Sequence, residues 1–129
     1  MDLEEYFKVA EGTGIIATSD SKGNVNMAIY SKPHFMENDE IAFIMLDKLT
    51  HHNLQSNSHA AYLFKEDRGG HRGKRLYLTK LREEKDSELL YSIRSRRFHG
   101  SRDDGKTRFL VFFRVDRVLP LIGRDETTE

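Results

Sequence analysis

Two periodicities divide this chain. Most of it is built from stretches of five to twelve residues with apolar side chains at alternate positions, while three stretches keep a helical spacing. Residues 2–11 place Leu3, Tyr6, Phe7 and Ala10 on one face of a short helix, which Gly12 and Gly14 are expected to end. Strands are predicted over 14–20 and 25–36, joined by the tight turn Ser21-Lys22-Gly23-Asn24. Pro33 cannot donate to a ladder, so it limits the second strand and points to an edge or a bulge. After the polar turn Glu37-Asn38-Asp39-Glu40 comes the run Ile41-Ala42-Phe43-Ile44-Met45-Leu46. Its unbroken apolarity predicts a strand covered on both faces.

That strand leads to the most informative junction in the chain. At Asp47 and Lys48 the sequence turns polar, and a short helix is predicted to about Asn57, with Thr50 or Asp47 as N-cap and Leu54 as its inward anchor. Free N–H groups and the positive end of the helix dipole make such a junction an anion site. Lys48 would add a charge and Thr50 a hydroxyl, and phosphate is the simplest ligand. The bland alternative is a surface lysine beside an ordinary capping threonine.

Further strands are predicted over 58–67, over 74–83 with Leu76, Leu78 and Leu81 on one side, and over 107–123. Asp86 or Ser87 can cap a helix over 88–98, with Leu89, Leu90 and Ile93 inward. Six mostly antiparallel strands with only small helices predict a mainly β fold. A closed or half-closed barrel leaves no exposed edge. The whole chain, 1–129, reads as one domain with a disordered tail over 124–129.

Composition narrows the function. With no Cys, disulfides and thiolate metal sites are excluded. Lys plus Arg and Asp plus Glu are equal at 21 each, which argues against nucleic-acid binding by bulk charge. The basic stretches 68–75 and 94–102 read as solvated loops and a helix end. The longest apolar run has six residues, too short for a membrane span, and the N-terminus lacks the pattern of a signal peptide, so a cytoplasmic location is expected. His51 and His52 are adjacent, about 100° apart on a helix, which is poor geometry for sharing one metal ion. Donation from His51 to a ligand is the better use. Met27 and Met45 fit core packing, with contact to a ligand as the alternative. Asn26 and Ser31 need partners if buried. No nucleophile–base pair, paired carboxylates or Walker-type loop is visible.

Residues 14–31, GIIATSDSKGNVNMAIYS, followed by 40–64, EIAFIMLDKLTHHNLQSNSHAAYLF, resemble the FMN-binding split barrels, the pyridoxamine 5'-phosphate oxidase-like proteins. The match covers about residues 12–65, and the last strand more loosely. It implies a split β-barrel and a homodimer with FMN at the subunit interface. It also implies that the second strand runs along the isoalloxazine ring, with Asn26, Met27, Ala28, Ile29 and Ser31 as contacts. Ile44, Met45, Leu46 and Asp47 would lie beside the flavin. The phosphate would sit at Lys48, Thr50, His51 and the Asn53-Leu54 helix. Lys74, Arg75 and Tyr77 begin a strand after a loop, and they read either as a cover for the partner subunit's flavin or as plain surface. Where many relatives have a basic cluster at the junction, this chain has Leu49 and Thr50. The resemblance points to an FMN-dependent oxidoreductase acting on a small molecule; the Arg-and-His substrate pattern of the true pyridoxamine-phosphate oxidases is not seen after the last strand, so that specific activity is not expected. The alternatives are a non-catalytic flavin-binding or electron-transfer protein, deazaflavin as the cofactor, and haem held by one of the histidines.

Overall fold

The computed structural model describes residues 2–97 and 104–124 (for Arg97, the backbone only). The elements are α1 (Leu3–Val9), β1 (Gly12–Ser19), β2 (Val25–Tyr30), β3 (His34–Phe35), β4 (Glu40–Leu46), α2 (Leu49–Ser56), β5 (His59–Glu66), β6 (Gly73–Lys85), α3 (Glu88–Arg97) and β7 (Arg108–Pro120). All seven described strands form one antiparallel sheet in the order β2-β1-β5-β6-β7-β4-β3.

The two outermost strands, β2 and β3, are consecutive in the chain, with only Ser31, Lys32 and Pro33 between them. Four Cα steps reach about 14 Å at most. The edges of the sheet must therefore approach one another, and the sheet closes into a barrel. Pro33 sits at the break, where no ladder bond is asked of it. Counting 25–36 as one strand misses this break, and seven strands replace the six expected. Tyr62 pins the corner by donating its hydroxyl to Ser31 O at 3.1 Å. Lys32 pins it from the other side by donating to Phe7 O at 2.8 Å and Ala10 O at 2.9 Å.

Inward positions fill the barrel. Ile16, Ile41, Phe43, Met45, Tyr62, Phe64, Leu76, Leu78, Val111 and Phe113 are all essentially inaccessible. Aromatic rings meet at the centre, Phe43 lying 5.0 Å from Tyr62 and 6.0 Å from Phe113. Helix α1 closes one end with Phe7, whose ring is 5.1 Å from Phe64. Helix α3 covers the outer face of β4 and β7, where Leu90 and Ile93 pack on Ala42, Leu110 and Phe112. This second layer explains why β4 is apolar without alternation.

Several local expectations change. Helix α1 stops at Ala10, whose extended backbone ends it, and Gly12 and Gly14 belong to β1. Gly14 faces the Tyr62 hydroxyl and Tyr30 O at a spacing that leaves no room for a Cβ. Leu81 is 40% exposed, because it lies an odd number of residues from Leu76 and Leu78 and is left unpaired at the register shift between Lys80 and Arg82. Leu89 is 39% exposed, and buried Leu90 and Ile93, with half-buried Tyr91, hold α3. Its N-cap is Ser87, which accepts from Leu90 N at 3.1 Å. Most of the loop over 99–106 and of the tail over 124–129 lies outside the described residues. No helix among the described residues is long and apolar enough to cross a membrane.

Candidate functional site

Strand β4 delivers the chain to α2 at the end of the barrel opposite α1. The N-cap position is taken by Lys48, with no side-chain capping bond, in place of the Thr50 or Asp47 expected. The first helical amide bond runs from His52 N to Lys48 O at 2.9 Å. The amides of Leu49, Thr50 and His51 precede it and have no acceptor within the helix. No acidic residue lies in this first turn. The side chains of Asp47, Lys48, Leu49 and His52 are exposed around it.

The turn is fastened on three sides. Thr50 is 5% exposed and accepts from Asn26 Nδ2 of β2 at 3.4 Å. It also shares a hydrogen bond with Tyr30, whose hydroxyl is pushed up by burial against the opposing effect of that bond. Asn53 is buried and donates to Thr18 Oγ1 of β1 at 3.2 Å. On the third side the ring of His51 stacks on Phe109 of β7, with centroids 3.6 Å apart and planes 11° apart. Its Nε2 lies 3.0 Å from both oxygens of Glu83 on β6. Burial alone would raise the Glu83 carboxyl. Hydrogen bonds from Lys80, His51 and Gln55 outweigh that and hold it at about 2. With His51 Nε2 at Glu83, and Nδ1 3.8 Å from Asp47, what His51 has to offer an anion is its backbone N–H.

Alternation divides the β2 candidates. Asn26 and Ala28 face the barrel interior, whereas Met27 and Ile29 are 72% and 78% exposed on the outside. Ser31 is exposed at the corner. On β4, Met45 is enclosed in the core, and Ile44 and Leu46 are half-buried on the outer side. The residues 26–31 therefore do not form one surface. Outside the barrel, register aligns Met27, Ala17, Ala61 and Tyr77 in one transverse row, and Ile29, Ile15, Leu63 and Arg75 in the next. At about 4.8 Å per strand each row is about 14 Å long. Small Ala17 and Ala61 between Met27 and Tyr77 leave a trough of about 200 Å³ that is almost entirely apolar. Arg75 is tied back to Pro120 O at 2.9 Å and to Gly123 O. Lys74 lies over the Tyr6 ring, 4.7 Å from its centroid.

Sequence reasoning did not find Glu83, Phe109, Thr18 or Tyr30 around α2, nor Ile15, Ala17, Ala61 and Leu63 outside. The alternation of β1 and β5 carried a signal for the last four, since their outward positions are apolar too. Glu83, in the run Arg82-Glu83-Glu84, carried none. A larger concavity of about 500 Å³ lies between α1, the β2–β3 corner and α3, and none of the predicted site residues lines it. Among the described residues no three His, Asp or Glu side chains gather as a metal site.

No family model matches the chain, and no curated protein matches it. Solved structures do. An FMN-binding protein of Syntrophomonas wolfei subsp. wolfei aligns with a TM-score of 0.70 at 17% identity, covering 92% of this chain and 83% of that one. An F420 reductase aligns at 0.68 with 15% identity, covering 92% and 98%. A pyridoxamine 5'-phosphate oxidase-like protein of Lactobacillus delbrueckii aligns at 0.65 with 16% identity, covering 92% and 93%. These alignments cover 92% of the chain, and the chain has the fold of the FMN-binding split barrels, the pyridoxamine 5'-phosphate oxidase-like fold.

Proposed function

We propose that this protein binds FMN at the interface of a homodimer and serves as an oxidoreductase for a small molecule. The observation that carries this reading is that one strand, β2, borders both an anion site and an apolar face. Its inward Asn26 holds the first turn of α2, and the next residue, Met27, on the opposite face, opens the apolar trough on the barrel's outside. An uncapped, acid-free helix N-terminus with Lys48 beside it suits a phosphate. An apolar sheet face suits one side of a flat aromatic ring, and its exposed Val25, Met27 and Ile29 suit a second copy of the chain. The fold neighbours include an FMN-binding protein and an F420 reductase, which supports a flavin or deazaflavin as the ligand.

The residues fit the group, and each has a task. The amides of Leu49, Thr50 and His51, with the Lys48 ammonium, would hold the phosphate. Met27, Ile29 and the Ala17–Ala61 floor would bear on the ring and exclude water from it. Flavin, once bound, supplies the redox chemistry that no side-chain constellation here provides.

The test is absorption of the purified protein before and after FMN is added and the sample desalted. Retained flavin bands are expected. Lys48→Ala is expected to weaken FMN about tenfold, the worth of one charge-assisted bond. A protein that leaves added FMN in the flow-through overturns the reading, and a Soret band would replace it with haem. Retention of F420 in place of FMN would keep the site and change the cofactor.

A further inference from the structure

We infer that Glu83 is a positioning residue for the phosphate end of the cofactor, acting through His51. The inference rests on the flavin reading above and deepens it. Glu83 is far from α2 in sequence and touches none of its exposed N-terminal surface. It accepts from the first turn of that helix at a single side chain, His51, whose own backbone N–H is one of the three that face the anion.

The geometry around the pair is closed. Phe109 covers one face of the His51 ring at 3.6 Å. Lys80 Nζ approaches Glu83 Oε1 at 2.6 Å, and Gln55 Nε2 donates to the same oxygen at 3.1 Å and to His51 O at 3.0 Å. Gln55 thereby ties Glu83 to the backbone of the very residue whose amide is offered. Because the Glu83 carboxylate can only accept, the imidazole proton belongs on Nε2, directed at Glu83, while Gln55 Nε2, 3.0 Å from the same ring nitrogen, directs its two protons to Glu83 Oε1 and His51 O. Asp47, 3.8 Å from Nδ1, faces the ring from the β4–α2 junction.

The first turn of a helix frays when nothing holds it, and three amides bind an oxyanion well only while they converge. Thr50 and Asn53 fix the side of α2 that faces β1 and β2. The His51–Glu83 bond fixes the opposite side, against β6 and β7. Without it only the Phe109 stack holds the turn on that side, and the buried ring loses its acceptor.

The test compares FMN with riboflavin, which carries the same ring without the phosphate, in the full-length protein and in Glu83→Ala and Glu83→Gln. In Glu83→Ala, FMN affinity is expected to fall five- to tenfold while riboflavin affinity stays unchanged. In Glu83→Gln, whose amide oxygen still accepts from His51 Nε2, most of the FMN affinity is expected to return. Equal losses for both ligands in Glu83→Ala would mean a general loosening of the fold and would overturn the inference. So would FMN affinity unchanged in both variants. If the unaltered protein binds FMN no better than riboflavin, the phosphate assignment itself fails, and this inference fails with it.

Discussion

Acid should unfold this protein in part through Glu83, and the size of the effect can be worked out. An ordinary glutamate titrates at 4.5, and this one is held at about 2 by Lys80, His51 and Gln55 against the cost of its burial. A folded-state pKa below the unfolded value means that the carboxylate contributes its full stabilisation above pH 4.5. That contribution is lost as pH falls from there towards 2. At roughly 1.4 kcal/mol per unit, a depression of this size is worth about 3 kcal/mol. The side chain keeps 23% of its surface exposed, so the figure is a ceiling. The assay is urea unfolding followed by circular dichroism at pH 7, 5, 4 and 3, on the unaltered protein and on Glu83→Gln. The other depressed carboxylates, Glu66, Asp104 and Asp116 among them, are common to both proteins and cancel in the difference. Glu83→Gln should be less stable by about 2–3 kcal/mol at pH 7, and the gap should narrow to about half or less by pH 3, closing only as pH nears 2. A gap that stays constant with pH, or that is absent at pH 7, would refute the assignment of a strongly stabilised Glu83 carboxylate.

Two further outcomes follow from the geometry. Gly14→Ala places a methyl group against the Tyr62 hydroxyl and Tyr30 O at the split of the barrel, and should cost about 1–3 kcal/mol, read as a lowered thermal midpoint; an unchanged midpoint would mean the corner is not tightly packed. Met27→Asp puts a charge in the middle of the exposed apolar row without touching the core. Sedimentation should show the dimer of the unaltered protein giving way to monomer, with the melting curve of the fold preserved, and a protein that is monomeric before substitution removes the proposed interface.

Much of the architecture was legible in the sequence because it is written in local periodicity. Leu3, Tyr6, Phe7 and Ala10 announced the face of α1. The turns at 21–24 and 37–40 were written in Gly, Asn and Asp, and they have the left-handed backbone those residues permit at Gly23, Asn38 and Asp39. The six-residue apolar run of β4 announced two covered faces, and the structure supplies both, the barrel interior and α3. The position of the candidate anion site was legible too, since a strand passing into a helix leaves free amides wherever it occurs. The resemblance to split barrels added the closure that periodicity alone left between closed and half-closed.

What the sequence could not decide was which side chains turn toward the site. Residues 26–29 follow one another in the chain, but strand alternation sends Asn26 and Ala28 into the barrel and Met27 and Ile29 out of it. His51 looked like a donor to a ligand because it lies in the first turn of α2. Its ring is turned away because Glu83 and Phe109 stand on strands 32 and 58 residues further on, brought there by the pairing of β6 with β7. Nothing in the sequence marked Glu83, and the register shift between Lys80 and Arg82, where β6 holds one residue more than β7, turns it toward α2. The chain by itself determined its elements and where an anion could sit, because those depend on neighbours in sequence. Tertiary structure alone decided which groups hold that site in place, because they meet only when the sheet closes.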